Sequence, residues 1–130
     1  MNENDENFDV VDSQDQIIGK ATRQQVRNFE LMHRSFYILV FDFSENLFLQ
    51  KRAMNKDESP GLWDSSAAGH VESGEGYLNC AIRELKEELG LEHIGLKEIL
   101  SIPAQYMTFW EHVQVYTCIT DSKIIINHNE

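Results

Sequence analysis

The chain has 130 residues, of which 42% are hydrophobic and 25% charged, and its formal net charge is −11. That length suits a single domain with one core, and a surface so acidic repels a nucleic-acid backbone, which excludes a general DNA or RNA binder. The two cysteines, Cys80 and Cys118, match no zinc spacing and are too few for a disulfide framework, so they read as reduced, partly buried thiols.

The N-terminal run MNENDENFDVVD is acidic and polar, without the basic start and apolar stretch of a signal peptide. The longest apolar run, residues 36–41, is too short to span a bilayer. A reducing cytoplasm is the expected compartment, with no membrane partner. Residues 1–7 read as a disordered tail and residues 8–130 as one domain.

Phe8, Val10 and Val11 begin a strand, residues 12–16 are polar and turn-like, and Ile17, Ile18 and Gly19 pair back as a hairpin. Residues 22–32 carry Val26, Phe29 and Leu31 in a weakly helical pattern. Residues 35–43 (SFYILVFDF) form the strongest strand, apolar on both faces and so central. After a turn at 44–46, residues 47–51 return as the second strand of that hairpin. A loop with Pro60-Gly61 follows. Residues 77–89 read as a helix closed by Gly90. Residues 98–102 and 105–109 look like short strands, 113–119 alternates as a good strand, and 123–126 is a last short apolar run. Strands around one clear helix, with a weaker helix early, predict an α+β or α/β sandwich.

On a helical wheel Leu78, Ala81, Ile82, Leu85 and Leu89 share one arc, while Glu84, Glu87 and Glu88 share a neighbouring one. Three carboxylates at i, i+3 and i+4 repel one another, and a divalent cation relieves that repulsion; oxygen-only donors suit Mg²⁺, Mn²⁺ or Ca²⁺. Such an edge is also common as a solvated acidic helix face.

Spacing decides between these readings. Gly69 is followed after five residues by Glu75, then after seven by Arg83-Glu84-Leu85, then by Glu87-Glu88 and by Gly90-Leu91. This run resembles the Nudix box, Gx5Ex7REUxEExGU with U bulky and aliphatic, at every defined position. The resemblance implies a Nudix-type mixed β-sheet sandwiched by helices and a hydrolase that cleaves a diphosphate linkage with Mg²⁺ or Mn²⁺. It implies that Glu84, Glu87 and Glu88 bind metal, that the Gly69 carbonyl completes the shell, and that one of the glutamates orients or deprotonates the attacking water. It implies that Arg83 orients a catalytic carboxylate and pairs with Glu75; its position four residues before Glu87 also allows a local ion pair. Gly74 and Gly76 flank Glu75 and suit a tight loop.

Upstream residues (His33-Arg34, Gln50-Lys51-Arg52, Lys56, residues 60–64 and Ala68-Gly69-His70) resemble the Nudix subgroup nearest type 1 isopentenyl-diphosphate isomerase. That makes an isomerase the alternative activity. The isomerases place a catalytic cysteine before the glycine-histidine pair, where this chain has Ala68, and need a Glu-x-Glu pair, where this chain has Glu111 followed by Val113. Without these acid–base groups the hydrolase is the favoured reading, and a non-catalytic Nudix-fold binding module is a further alternative.

Outside the box, His70 is either a metal ligand or a loop histidine, and Glu111 either a further ligand or base or a solvated glutamate. His33, Arg34, Lys51, Arg52 and Lys56 are candidates for substrate phosphate, with Arg52 and Lys51 foremost. Trp63, Phe109 and Trp110 read as core or loop anchors before base-stacking residues. The expected partner is a small organic diphosphate. Related sequences typically continue into a closing C-terminal helix, which is absent from a chain ending INHNE; either the sequence is truncated or another element or subunit covers that face, and an apolar face left uncovered favours a homodimer.

Overall fold

A computed structural model describes residues 6–51 and 63–127. β1 (Asn7–Val11) and β2 (Ile17–Thr22) form an antiparallel hairpin. Its turn is organised by Asp12, whose Oδ1 accepts from the backbone N–H of Gln14 and Gln16, each at 2.9 Å. Thr22 then caps α1 (Arg23–Phe29) in a capping box with Gln25. α1 stops at Glu30, which adopts a left-handed conformation with φ +51°, so the weak pattern at 22–32 yields a seven-residue helix. Asn7, assigned from sequence to the tail, opens β1.

β3 (His33–Phe41) is the central strand. It runs parallel to β9 (Glu111–Ile119) in register from His33↔Glu111 to Phe41↔Ile119. β9 pairs antiparallel with β8 (Lys97–Ile102). On its other edge β3 pairs antiparallel with β7 (Ala67–His70) and, at Val40 and Phe41, with β4 (Leu47–Phe48). The result is a mixed five-stranded sheet with two helices among the described residues, which bears out the expected α+β sandwich.

The returning strand expected over 47–51 is broken. Only β4 reaches β3; β5 (Gln50–Lys51) pairs instead with β6 (Trp63–Asp64). Ser66 explains the break. Its hydroxyl is fully buried, accepts from Val40 N–H at 2.7 Å and donates to the Phe48 carbonyl. It thereby takes the place of ladder bonds, and β7 then occupies the remaining edge of β3.

α2 (Tyr77–Leu89) has the limits the sequence indicates and ends on Gly90, φ +68°. It covers one face of the sheet. Cys80, Ala81, Leu85 and Leu89 pack against Phe36, Ile38 and Val40 of β3 and Ala67 of β7. The buried arc is rotated from the one expected: Leu78 is 46% exposed and Ile82 49%, while Cys80 is fully buried. That rotation brings Glu84 and Glu88 inside the arc facing the sheet.

Residues 105–109 are not a strand. Tyr106–Thr108 is a 3-10 turn boxed by Gln105 and Thr108, and Phe109 and Trp110 both have positive φ. Residues 123–126 also pair with no strand. There, Ile125 N–H donates to the Leu89 carbonyl and Asn127 N–H to the Glu88 carbonyl, each at 2.9 Å, closing the end of α2. No described helix is long and apolar enough to cross a membrane.

Ser66→Ala removes the donor to Phe48 and the acceptor for Val40 at a site with no solvent. The expected loss is about 1–3 kcal/mol of folding stability, read as a lower midpoint in urea denaturation at unchanged slope. A midpoint equal to wild type contradicts the role given to this hydroxyl.

Candidate active site

The box loop between β7 and α2 is held from below by the N-terminal hairpin. Ser73 Oγ donates to Asp9 Oδ1 at 2.8 Å, Gly74 N–H donates to Asp9 Oδ2 at 3.3 Å, and Ser73 N–H donates to the Asn7 carbonyl at 2.9 Å. Gly74 and Gly76 have φ of +83° and +80°, a conformation that residues with a Cβ rarely adopt, and between them the chain turns Glu75 back onto α2.

Arg83 meets Glu75 through a two-bond fork, Nε to Oε2 at 2.7 Å and Nη2 to Oε1 at 2.9 Å. Its Nη1 donates to Glu84 Oε1 at 3.0 Å and to Glu87 Oε2 at 2.9 Å. One guanidinium thus gathers three carboxylates from the loop and the helix. The hydrogen bond from Arg83 holds Glu75 below the usual carboxylate range, against the opposing effect of burial. Gly69 lies beside this group: a Cβ built there would stand 3.5 Å from Glu84 Cγ and 3.0 Å from the Phe36 ring. A side chain at position 69 would push the helix edge away from β7. With Glu88 on the same edge, the donors are all hard oxygens and the positive charge among them is one arginine, which fits Mg²⁺ or Mn²⁺ in type and sign.

A second group lies on the opposite face of the sheet. His33, His70 and Glu111 bring their ligand atoms within 4.8 Å of one another. His70 Nε2 is 2.6 Å and His33 Nε2 3.4 Å from Glu111 Oε1, and Ser35 Oγ donates to Glu111 Oε2 at 3.1 Å. His33 Nδ1 stands 2.9 Å from the Leu31 carbonyl; a carbonyl only accepts, so Nδ1 carries a proton and Nε2 is the atom turned to Glu111. Burial pushes the Glu111 carboxyl up, but the two imidazoles outweigh it and bring it down to about 2. The rings of His33, His70 and Phe8 stack, with centroids 5.2 to 6.0 Å apart. Arg23 sits over Phe8 and reaches His70 Nδ1 at 3.4 Å. Two imidazoles and a carboxylate also form a donor set for a divalent transition metal.

His70 and Glu111, suggested separately by sequence, therefore meet; Glu111 is buried and not a solvated glutamate. His33 is their partner and not a surface cation. Arg34, another phosphate candidate, donates to the carboxylate and the carbonyl of Asp15 at 2.7 Å each. Lys51 is exposed on β5; Arg52 and Lys56 lie outside the described residues. Trp63 and Phe109 are exposed and not core anchors. Sequence reading missed Asp9 and Arg23, whose roles appear only once the hairpin folds against the box loop. Both cysteines are free and buried, and burial pushes the Cys80 thiol up to about 12.

A carboxyl held below its ordinary value stabilises the fold above that value and loses the contribution as pH falls through the folded one. For Glu111 the window runs from 4.5 down to about 2. In chelator-treated protein, denaturant midpoints taken downward from about pH 5 should fall more steeply for wild type than for Glu111→Gln, by on the order of 2 kcal/mol across the window. Parallel curves contradict the ion-pair reading of this group.

The NUDIX domain family matches residues 31–130. Among curated relatives, a Yersinia pestis protein named as an uncharacterized Nudix hydrolase is 43% identical over 69% of this chain and 50% of its own length. Isopentenyl-diphosphate Delta-isomerase 2 of Photorhabdus laumondii is 37% identical over 97% of this chain and 73% of its own length. The crystal structure of DR0079 from Deinococcus radiodurans superposes with a TM-score of 0.82 at 27% identity, over 95% of this chain and 78% of that one. The chain spans about half the length of the first curated relatives it matches. With the box intact in sequence and folded as a loop and helix on a mixed sheet, this chain belongs to the NUDIX domain family.

Proposed function

We propose that this chain hydrolyses a diphosphate linkage in a small organic diphosphate, acting as a single domain over residues 8–130. The observation that carries the reading is the Arg83 fork, which gathers Glu75, Glu84 and Glu87 beside Gly69. Glu84, Glu87 and Glu88, with the Gly69 carbonyl, would hold Mg²⁺ or Mn²⁺. Bound there, a divalent cation neutralises the diphosphate and lowers the pKa of the attacking water.

The chain's own groups do the rest. Glu75 fixes Arg83, and Arg83 fixes the two helix carboxylates against their mutual repulsion. Glu87 has 43% of its side chain exposed against 20% for Glu84, which supports Glu87 as the group that meets water and takes its proton. The water oxygen bonds to phosphorus, the bridging P–O bond breaks, and its electron pair leaves on the departing phosphate. Lys51 contributes a cation to the substrate phosphate.

The isomerase relative supports a second reading, but its proton carriers are missing. Ala68 and Val113 share the sheet face of His70 and Glu111. Cys80 and Cys118 are buried in the core beneath α2 on the other face. Burial keeps both thiols protonated. Moving a proton to and from a double bond needs positioned acid–base groups; this face carries His33, His70 and Glu111, but Ala68 and Val113 stand where the thiol and the second carboxylate of the isomerases are expected.

The test is phosphate release with Mg²⁺ or Mn²⁺ over a diphosphate panel that includes isopentenyl diphosphate. Wild type should turn over at least one member. Glu87→Gln should fall to background, and Arg83→Met should lose about 10- to 100-fold by misplacing the carboxylates it orients. Conversion of isopentenyl to dimethylallyl diphosphate without phosphate release establishes the isomerase instead. Turnover that survives Glu87→Gln removes the box from the mechanism.

A further inference from the structure

Arg83 works through two separate edges. Nε and Nη2 face Glu75, at 2.7 and 2.9 Å, and Nη2 also stands 3.4 Å from Cys80 Sγ. Nη1 alone serves the helix, donating to Glu84 Oε1 at 3.0 Å and to Glu87 Oε2 at 2.9 Å. The two edges are unequal. The Glu75 edge is a planar fork with two matched bonds, and the Glu75 side chain is 23% exposed against 43% for Glu87. Water therefore screens the Glu87 bond more, and it is the weaker one. The loop that carries Glu75 is itself held by Asp9 through Ser73 and Gly74.

Nη1 thus stands between two of the carboxylates that the box offers to a metal. A carboxylate oxygen that accepts from a guanidinium has that lone pair in use, and a second cation brought beside it meets a fixed positive charge. The bonds that gather Glu84 and Glu87 draw on the same oxygens a divalent ion needs.

We propose that Arg83 is a placeholder for the metal: it holds Glu84 and Glu87 together through Nη1 in the metal-free protein and yields them to an entering divalent ion while staying forked to Glu75; this rests on the reading of the box as the metal-holding site. The fork makes the exchange local. Nη1 gives up its two bonds without the guanidinium leaving its anchor, so the arginine remains beside the loop and the helix edge in both states.

The consequence has a sign. An arginine that only oriented the carboxylates would weaken metal binding when removed. A placeholder opposes metal binding twice, because its bonds must break first and its charge then stays close to the bound ion. Removing it tightens binding even as turnover falls with the loss of oriented carboxylates.

The test is isothermal titration of Mn²⁺, without substrate, into wild type, Arg83→Met, Arg83→Lys, Glu87→Gln and the double variant Arg83→Met/Glu87→Gln. Arg83→Met should bind about 3- to 30-fold more tightly than wild type, the effect of removing one like charge about 4–5 Å away in a solvent-screened site. Arg83→Lys keeps the charge and should stay within about twofold of wild type on the same grounds. The gain should vanish in the double variant, which assigns it to the box and not to His33, His70 and Glu111. At one fixed Mn²⁺ concentration the Tm of Arg83→Met should rise by more than that of wild type. Equal or weaker Mn²⁺ binding by folded Arg83→Met overturns the placeholder while the hydrolase reading stands. Where Arg83→Met does not fold, wild type decides by NMR with ¹⁵N-labelled arginine. Added Mg²⁺ should leave the Arg83 Nε–H protected from exchange and release the Nη1 hydrogens, and protection of both overturns the proposal. Wild-type Mn²⁺ binding that Glu87→Gln leaves unchanged sinks the metal reading of the box and this proposal with it.

Discussion

Phe36, Ile38 and Val40 leave β3 toward α2, whereas His33, Ser35 and Tyr37 leave it on the other side. A strand alternates its side chains with period two and cannot do otherwise, so this one strand divides the molecule into two chemistries. The even residues build the core that fixes α2, and with it the angle at which Glu84 and Glu88 meet β7. The odd residues carry a histidine, a serine and a tyrosine along a face that no described helix covers. A slip of one residue in the pairing of β3 with β9 would bury the histidine under α2 and expose Phe36. Nine pairs in unbroken parallel register oppose that slip.

The core beneath α2 tolerates carboxylates at its margin because a cation comes with them. Like charges at i, i+3 and i+4 cost a helix stability. Arg83 offsets part of that cost by bonding Glu84 and Glu87 while its other edge grips Glu75. The grip also sets loop 71–76 against the helix, so the same bonds that relieve repulsion define where the carboxylates point. One guanidinium does not neutralise the group. The excess of hard oxygen donors is what a divalent metal would answer, and an α2 edge without Arg83 would spread its glutamates into solvent.

How far the sequence could be read follows from the range of each interaction. The limits of α2 were legible because they depend on local periodicity and on Gly90. The Arg83–Glu87 pair was legible as an i,i+4 contact. By contrast, residues 33, 70 and 111 come together only through strand register, His70 and Glu111 lying 37 and 78 positions after His33, and no local pattern signals it. The expected strand over 47–51 failed for a related reason: a single distant hydroxyl, Ser66, displaces the ladder. The exposed side of α2 was misjudged because Leu78 and Ile82 look like core on a wheel, and only the position of β7 shows that Cys80 faces the sheet beside Ala81. Trp63 was assigned to packing because tryptophan is mostly buried; its place on a two-residue ladder leaves it out in solvent.

The family match begins at residue 31, yet the hairpin before it holds both chemical groups in place. Asp9 anchors the box loop through Ser73 and Gly74. Asp15 receives Arg34 and the Tyr77 hydroxyl, tying the hairpin turn to the start of β3 and the start of α2. Burial and that same carboxylate push the Tyr77 phenol well above its ordinary value, so it remains a donor throughout the physiological range. Phe8 closes over His33 and His70, with Arg23 stacked behind it. Residues 7–30 are therefore part of the site's support and not an appendage. The box supplies the donor atoms, and the rigidity that keeps those atoms at one geometry comes in good part from a segment the family signature does not include.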